Sequence, residues 1–289
     1  MNNFKILESK LKPYTCYDKI RIGSKYDGGY IMPKQTLIDS DCLVSFGIST
    51  NIDFEKEFYQ NNKLCDILMF DPFIGISEDF NRLMKRVFTL KDNPSKREIL
   101  LEDNPTYIRK KEHLIKQCFS RAIHWIDFNK FISEKNIHFS NIGVRNYCDD
   151  KFINFQKLFE KQELQNKKSI VLKIDIEGDE YNTFDDLINY LDNVSTILYE
   201  FHEVKINNER IIAIIDSLNS KGFYLIHTHG NNSDILVEGT TIPNTLELSF
   251  CRKRYCDPLK MDTNHYPMEG LDNPCNAQKI DYHLDFLNQ

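Results

Sequence analysis

The chain has 289 residues, 41% of them hydrophobic, and a formal net charge of -6. That is ample apolar material for a large core, and no long lysine or arginine block suggests a nucleic-acid partner. No run approaches the ~20 apolar residues of a membrane span, and the start "MNNFKILESKLKPY" lacks the apolar core and cleavage site of a secretory signal.

Residues 1–40 read as an N-terminal extension that carries "KYDGGYIMP" (25–33). Its paired glycines predict a turn between extended segments, plainly a hairpin. The density of polar and aromatic groups at Asp27, Gly28, Gly29 and Tyr30 makes a ligand-facing loop the rival reading. "CLVSFGIS" (42–49) predicts a buried strand ending at glycine, and residues 52–62 a helix. "DILMFDP" (66–72) predicts a second strand, stopped by Asp71 and Pro72, and residues 77–87 a second helix.

Residues 89–120 break this rhythm and are read as an insertion, with a lid over a site as its functional reading. Helical spacing returns over 126–136, where His124 and Trp125 just upstream read as core and turn. Strand patterns follow at 137–144, 169–175, 195–202, 223–230 and 245–253, with helices at 151–162, 179–191 and 208–222. Gly222 suits a helix C-cap. The tail, 255–289, is read as either an extended wrap over the 41–254 domain or a mobile end.

Eight cysteines lie far apart with no C-x-x-C pair. They predict reduced thiols and a cytoplasmic protein. Cys251, Cys256 and Cys275 are poorly spaced for a zinc corner with a histidine.

Strands alternating with helices predict an α/β fold with a mostly parallel sheet and helices on both faces. No helical pattern separates the last two strands, which predicts antiparallel neighbours. Ligands of such sheets sit outside the carboxyl ends of the strands, and the unusual polar residues fall at those ends. Gly47, Ile48 and Ser49 end the first strand, Asp71 the second, and Asn141 and Gly143 the third. Asp175 and Glu177 end the fourth, Glu200 and His202 the fifth, and His227, His229, Asn231 and Asn232 the sixth.

A glycine at a strand end lets a backbone approach a ligand closely. A carboxylate at the end of the next strand, Asp71, can accept two ribose hydroxyls. Asp179 and Glu180 read as first-turn helix acids, stabilised by the helix dipole. Asp175 has no such reading. It closes an apolar strand, where an unpaired carboxylate is costly. Asp175, Glu200 and His202 offer oxygen and nitrogen donors suited to Mg²⁺ or Mn²⁺. A metal-free polar cluster is the alternative, and the residue types leave both open. His202 is the first candidate base and His229 the second.

"LKIDIEGDEYNTF", with "SFGIS...DFE", "FDP" and "YDGGY", resembles the FkbM-type S-adenosylmethionine-dependent methyltransferases over about residues 25–250. The resemblance implies a Rossmann-like class I methyltransferase with seven strands, the last antiparallel. It implies O-methylation of a sugar hydroxyl, the sugar being nucleotide-linked or part of a capsule or lipopolysaccharide. Gly47, Ile48 and Ser49 would line the methionine moiety of the cofactor and Asp71 its ribose. Asp27, Gly28, Gly29, Tyr30, Asn141, Gly143 and Asp175 complete the cofactor set. Glu177, His229 and Asn231 would meet the substrate, with Asp175, His202 and His229 catalytic. Ser49 stands where common methyltransferases carry a second glycine. The rival is a metal-dependent glycosyltransferase in which Asp175 and Glu177 act as an Asp-x-Asp pair. Oligomeric state, a homodimer included, is not written in these residues.

Overall fold

The computed structural model describes residues 2–49, 51–73, 124–256 and 258–284. The chain divides into two units. One holds Met1–Ile48, Ile52–Pro72 and Asn136–Gln289; the other holds Ser49–Asn51 and Phe73–Lys135. In the second unit, the helix predicted over 126–136 runs over 124–131 instead. There the Trp125 and Phe128 rings lie 5.2 Å apart. The helix predicted over 77–87 and the 89–120 insertion lie outside the described residues.

The first unit is built on a seven-stranded sheet. Its strands are β3 (Cys42–Phe46), β4 (Asp66–Phe70), β5 (Ile137–Ser140), β8 (Ile170–Ile174), β9 (Val194–Phe201), β10 (Phe223–Gly230) and β11 (Leu246–Arg252). All seven predicted strands are there, in the order β10-β11-β9-β8-β3-β4-β5. Neighbouring pairs are parallel except those of β11, which is antiparallel to both β9 and β10. The sheet is Rossmann-like, with the antiparallel last strand that the sequence implied. Every residue of β3 and β8 is buried. An unbroken apolar run is what a parallel strand covered on both faces requires.

The remaining elements surround this sheet in sequence. They are α1 (Asn2–Lys10), the hairpin β1 (Lys19–Gly23) and β2 (Gly29–Pro33), α2 (Lys34–Asp39), α3 (Asp53–Asn61), the ribbon β6 (Gly143–Val144) with β7 (Phe152–Ile153), α4 (Phe155–Lys161), α5 (Glu180–Leu187) and α6 (Val204–Ser220). The plain reading of 25–33 as a hairpin is right, with Gly23 opposite Gly29. α6 begins four residues before the predicted start because Val204 joins Ile211, Ile215 and Leu218 on its buried face. Gly222 follows it at φ +79, as a helix-ending glycine should.

One boundary differs. The strand predicted over 137–144 stops at Ser140, Asn141 is exposed, and Gly143 enters the separate β6–β7 ribbon. A Cβ at Gly143 would lie 2.8 Å from both Pro72 and Phe152. The glycine therefore serves a close approach to the end of β4, not the end of β5.

Chain order sets the site. From β3 the chain moves through β4 to β5 on one side; from β8 it moves through β9 on the other. Right-handed crossovers then put helices on opposite faces, so the strand order reverses between β3 and β8, the point at which sheets of this kind hold their ligands. The tail is an extended wrap. Met261 bridges to Tyr14, and Tyr266 to Leu284. The Asp262 amide donates to the Pro13 carbonyl, and Lys19 pairs with Asp262 at 3.5 Å, both side chains buried.

Candidate functional site

Gly47 follows β3 with φ +69, and a Cβ there would lie 1.5 Å from the Asp175 carbonyl oxygen. Only glycine lets the ends of β3 and β8 come this close. The Gly47 amide donates to the Phe70 carbonyl, and the Asp71 amide to Ser140. Gly47, Asp71 and Asp175 thus stand on one edge of the sheet, at three adjacent strand ends. Ile48 and Asp71 are buried. Ser49 has φ +46, a left-handed conformation that a second glycine would also adopt.

A row of ionisable groups crosses the sheet from this point. Register places His229 on β10 opposite Glu247 on β11, and Glu247 opposite Glu200 on β9. Ile174 stands beside Tyr199, so Asp175 comes next to Glu200. Three carboxylates follow one another at the strand spacing of about 4.8 Å. Each like-charged neighbour would cost roughly 3 kcal/mol at an effective dielectric of ~20. The row cannot stay fully anionic without cations or protons.

Tyr30, buried on the hairpin, bridges the row. Its hydroxyl lies 3.1 Å from Asp175 Oδ2 and 3.3 Å from Glu200 Oε2. Burial, then the charges of Asp175 and Glu247, push the Glu200 pKa well above the ordinary carboxylate value. A protonated Glu200 can donate to the Tyr30 oxygen while Tyr30 donates to Asp175. The Asn231 amide donates to Glu200 Oε1 at 2.8 Å. Lys173 is the cation within β8. Its Nζ lies 3.8 Å from Asp175 and 5.2 Å from the Tyr30 ring centroid. Below it, Glu55 of α3 accepts from Ser45, and burial raises its pKa while Lys173 lowers it.

The turn after β8 explains the remaining acids. Glu177 takes φ +56 and Gly178 φ +105. Glu180 is fully buried and folds back on the turn, accepting from the Ile176 and Gly178 amides. It does more than face the helix dipole: Glu180 Oε1 also lies 3.0 Å from His202 Nδ1. That leaves Nε2 facing Glu177 at 3.6 Å, at a rim where the Glu177 side chain is 87% exposed. Burial alone would lower the His202 pKa. The hydrogen bond and charge of Glu180, with the charges of Glu200 and Asp175, outweigh it and raise the value from 6.5 to about 9.

A folded-state pKa raised in this way stabilises the fold fully below the unfolded value. The contribution is lost as pH rises through about 9. Chemical denaturation of the native chain at pH 6.5 and 9.5 is therefore expected to show a larger loss of stability at high pH than His202→Gln shows.

His229 sits differently from a base that meets substrate. It is 1% exposed, Nδ1 lies 2.8 Å from Glu247, and Nε2 lies 3.1 Å from Asp281 of the tail. Both nitrogens are engaged while the tail is in place. Burial disfavours its charge, but hydrogen bonds to Asp281, Cys275 and Glu247 keep its pKa well above the ordinary value. Neighbouring His227 is buried, which lowers its pKa, and its Nε2 lies 2.9 Å from Asp272.

Among the described residues, Asp175, Glu177 and His202 place ligand atoms within 4.8 Å of one another, as do Asp27, Glu200 and Glu247. Of the three residues that the sequence offers for a metal, Asp175 thus groups with His202, while Glu200 groups with Asp27 and Glu247. Glu247, Cys275, Asp281, Glu180 and Lys173 joined the site unannounced. Lys173 was visible as the lone charge in "SIVLKI", two residues before Asp175. Cys275 stands with His229 and Glu247, away from Cys251 and Cys256, which pack with Cys16.

No family model and no curated protein matches the chain. Solved structures show distant similarity. One is a precorrin-6Y C5,15-methyltransferase from Geobacter metallireducens, at 9% identity over 76% of this chain and 87% of that one, TM-score 0.33. Another is the fibrillarin pre-rRNA processing protein of Methanococcus jannaschii, at 10% identity over 75% and 68%, TM-score 0.33. A third is a protein of the NADB-Rossmann superfamily from Streptococcus agalactiae, at 12% identity over 76% and 66%, TM-score 0.32. No described helix is long and apolar enough to cross a membrane.

Proposed function

We propose that the chain is an FkbM-like, S-adenosylmethionine-dependent O-methyltransferase acting on a sugar hydroxyl, nucleotide-linked or destined for a cell-surface polysaccharide. The observation that carries the reading is the strand-order reversal between β3 and β8, where Gly47, Asp71 and Asp175 share one sheet edge. The glycine cradle fits the close approach of a methionyl group, and Asp71 stands at the right strand end for a ribose. S-Adenosylmethionine supplies an activated methyl group on a sulfonium, whose departure leaves a neutral thioether.

The chain then has two tasks: to align the acceptor hydroxyl and to take its proton. Alignment supplies roughly 7–11 kcal/mol of such barriers. Gly47, Ile48 and Ser49 would hold the methionyl end, and Asp27, Gly28, Gly29 and Tyr30, with Asn141 and Gly143, would complete the cofactor's surroundings. Glu177 and Asn231, beside the acid row, orient the acceptor, with His229 behind Glu247. Glu180 clamps Nδ1 of His202 and leaves Nε2 toward the rim, the orienting logic of an acid–histidine pair. His202 is the base, and it acts in its neutral form. A divalent cation, Mg²⁺ or Mn²⁺, would sit between Asp175 and Glu177, whose carboxylates lie within ligand distance of each other, while Glu200 belongs to the other acidic group and His202 stays free to act as base. Such a cation would depress the pKa of the acceptor hydroxyl.

Thermal shift tests the reading. S-Adenosylhomocysteine is expected to raise the melting temperature, and UDP and GDP with Mn²⁺ to leave it unchanged. Stabilisation by a nucleoside diphosphate alone would favour the glycosyltransferase reading of Asp175 and Glu177.

A further inference from the structure

His229, Glu247 and Cys275 form a cluster distinct in chemistry from the oxygen-rich end of the row. All three are buried, and each offers one ligand atom within 4.8 Å of the others. Two come from facing positions on β10 and β11; the third comes from the tail. His229 Nδ1 lies 2.8 Å from Glu247 Oε2, and Cys275 Sγ lies 3.4 Å from Glu247 Oε1 and 3.9 Å from Nδ1. A tetrahedral zinc ion with Zn–S about 2.3 Å and Zn–N or Zn–O about 2.0–2.2 Å has ligand edges of roughly 3.3–3.6 Å. With either Glu247 oxygen as the ligand, the three groups need movements of about half an ångström to meet them.

Two further features fit a metal better than a bare polar cluster. Asp281 Oδ2 lies 3.1 Å from His229 Nε2. With that nitrogen donating, Nδ1 keeps its lone pair for the metal, the carboxylate–histidine–metal arrangement that orients ligating histidines. Second, Glu247 faces another buried carboxylate, Glu200, and like charges directly opposite destabilise a sheet. A dication beside Glu247 removes that conflict. The thiolate donor selects zinc over the hard cations suited to the Asp175 end.

We propose that His229, Glu247 and Cys275 bind a zinc ion that fastens the C-terminal tail to β10 and β11. Three protein ligands leave the fourth position to water. On binding, the thiol proton and any proton on Nδ1 pass to solvent. The tail is already pinned nearby by Asn232, which accepts from the Asn276 amide and donates to the Lys279 carbonyl; the metal would lock that contact. The proposal stands apart from the methyltransferase reading, and its test uses no activity.

The full chain, purified without chelator, is expected to carry about one zinc by elemental mass spectrometry. Cobalt replacement is expected to give a cobalt–thiolate charge-transfer band. Cys275→Ser should abolish the band and weaken zinc by more than the ~10–100-fold lost on removing an outer partner. Cys148→Ser, at an exposed thiol, should change neither. A native chain without a thiolate band, or a band unchanged in Cys275→Ser, overturns the proposal. Should Cys275→Ser not fold, alkylation of the native chain decides. Chelation should speed labelling of Cys275 at least about tenfold, zinc should reverse this, and equal labelling with and without zinc overturns it.

Discussion

Asp175→Ala is expected to abolish turnover, a fall of at least roughly 10³-fold in kcat/KM, while the chain still folds. Asp175 lies at the β3/β8 reversal, accepts from Tyr30 and stands 3.8 Å from Lys173. Its removal takes away the carboxylate that ends the acid row at the β3/β8 reversal and leaves Tyr30 without that acceptor. Stability should also fall, because Lys173 is almost wholly buried and loses its ion-pair partner at 3.8 Å, keeping the charge interactions with Glu55 and Asp27. Asp175→Asn separates the two effects. It preserves side-chain volume and an acceptor oxygen for Tyr30, so it should recover stability and not turnover. Binding of S-adenosylhomocysteine should change less than tenfold in Asp175→Asn. A folded Asp175→Ala chain with full activity would remove the acid row from the mechanism.

Gly47→Ala carries the largest expected effect on the fold. The new Cβ would meet the Asp175 carbonyl oxygen at 1.5 Å, and the obstacle is the backbone of a buried strand end. No rotamer relieves it. The residue also sits at φ +69, which costs alanine roughly 1–2 kcal/mol. A total loss of about 4 kcal/mol or more is expected by chemical denaturation, with loss of cofactor binding in whatever folds. Gly239→Ala is the control. Its φ is +76, yet nothing lies within 4 Å of an added Cβ. It should show the backbone cost alone, so the difference between the two variants measures the close approach of β3 and β8.

The sheet was legible because its strands are buried on both faces. Runs such as "CLVSF" and "IVLKI" need no partner to be recognised. Parallel order then gathers the carboxyl ends on one edge, which is why strand pattern alone groups Gly47, Asp71 and Asp175. What lies across the strands was not legible. Glu247 became a neighbour of both Glu200 and His229 only because β11 inserts between β9 and β10, and local periodicity does not encode that insertion. Cys275 and Asp281 reach the site from a tail with no regular pattern. Glu180 satisfied a simple helix-terminus reading, which hid its grip on the Ile176 and Gly178 amides and on His202. Tyr30 was noticed as part of a glycine-rich turn; its place between two carboxylates follows from the hairpin lying against β9, β10 and β11.

The same facts divide the labour among the histidines. His202 and His229 look alike from sequence, each closing a strand near an acid. In the fold, His202 keeps one nitrogen toward the rim, whereas His229 is held from both sides by Glu247 and Asp281. His202→Gln should therefore act on turnover, and His229→Gln on attachment of the tail.

A crystal of the full chain soaked with S-adenosylhomocysteine tests the central claim most directly. The account predicts ribose hydroxyls on the Asp71 carboxylate and the homocysteine chain along Gly47, its sulfur opening toward Asp175. Ligand density anywhere else on the molecule, or a β3/β8 reversal that stays empty of it while a nucleoside diphosphate binds at Asp175 and Glu177, would contradict it.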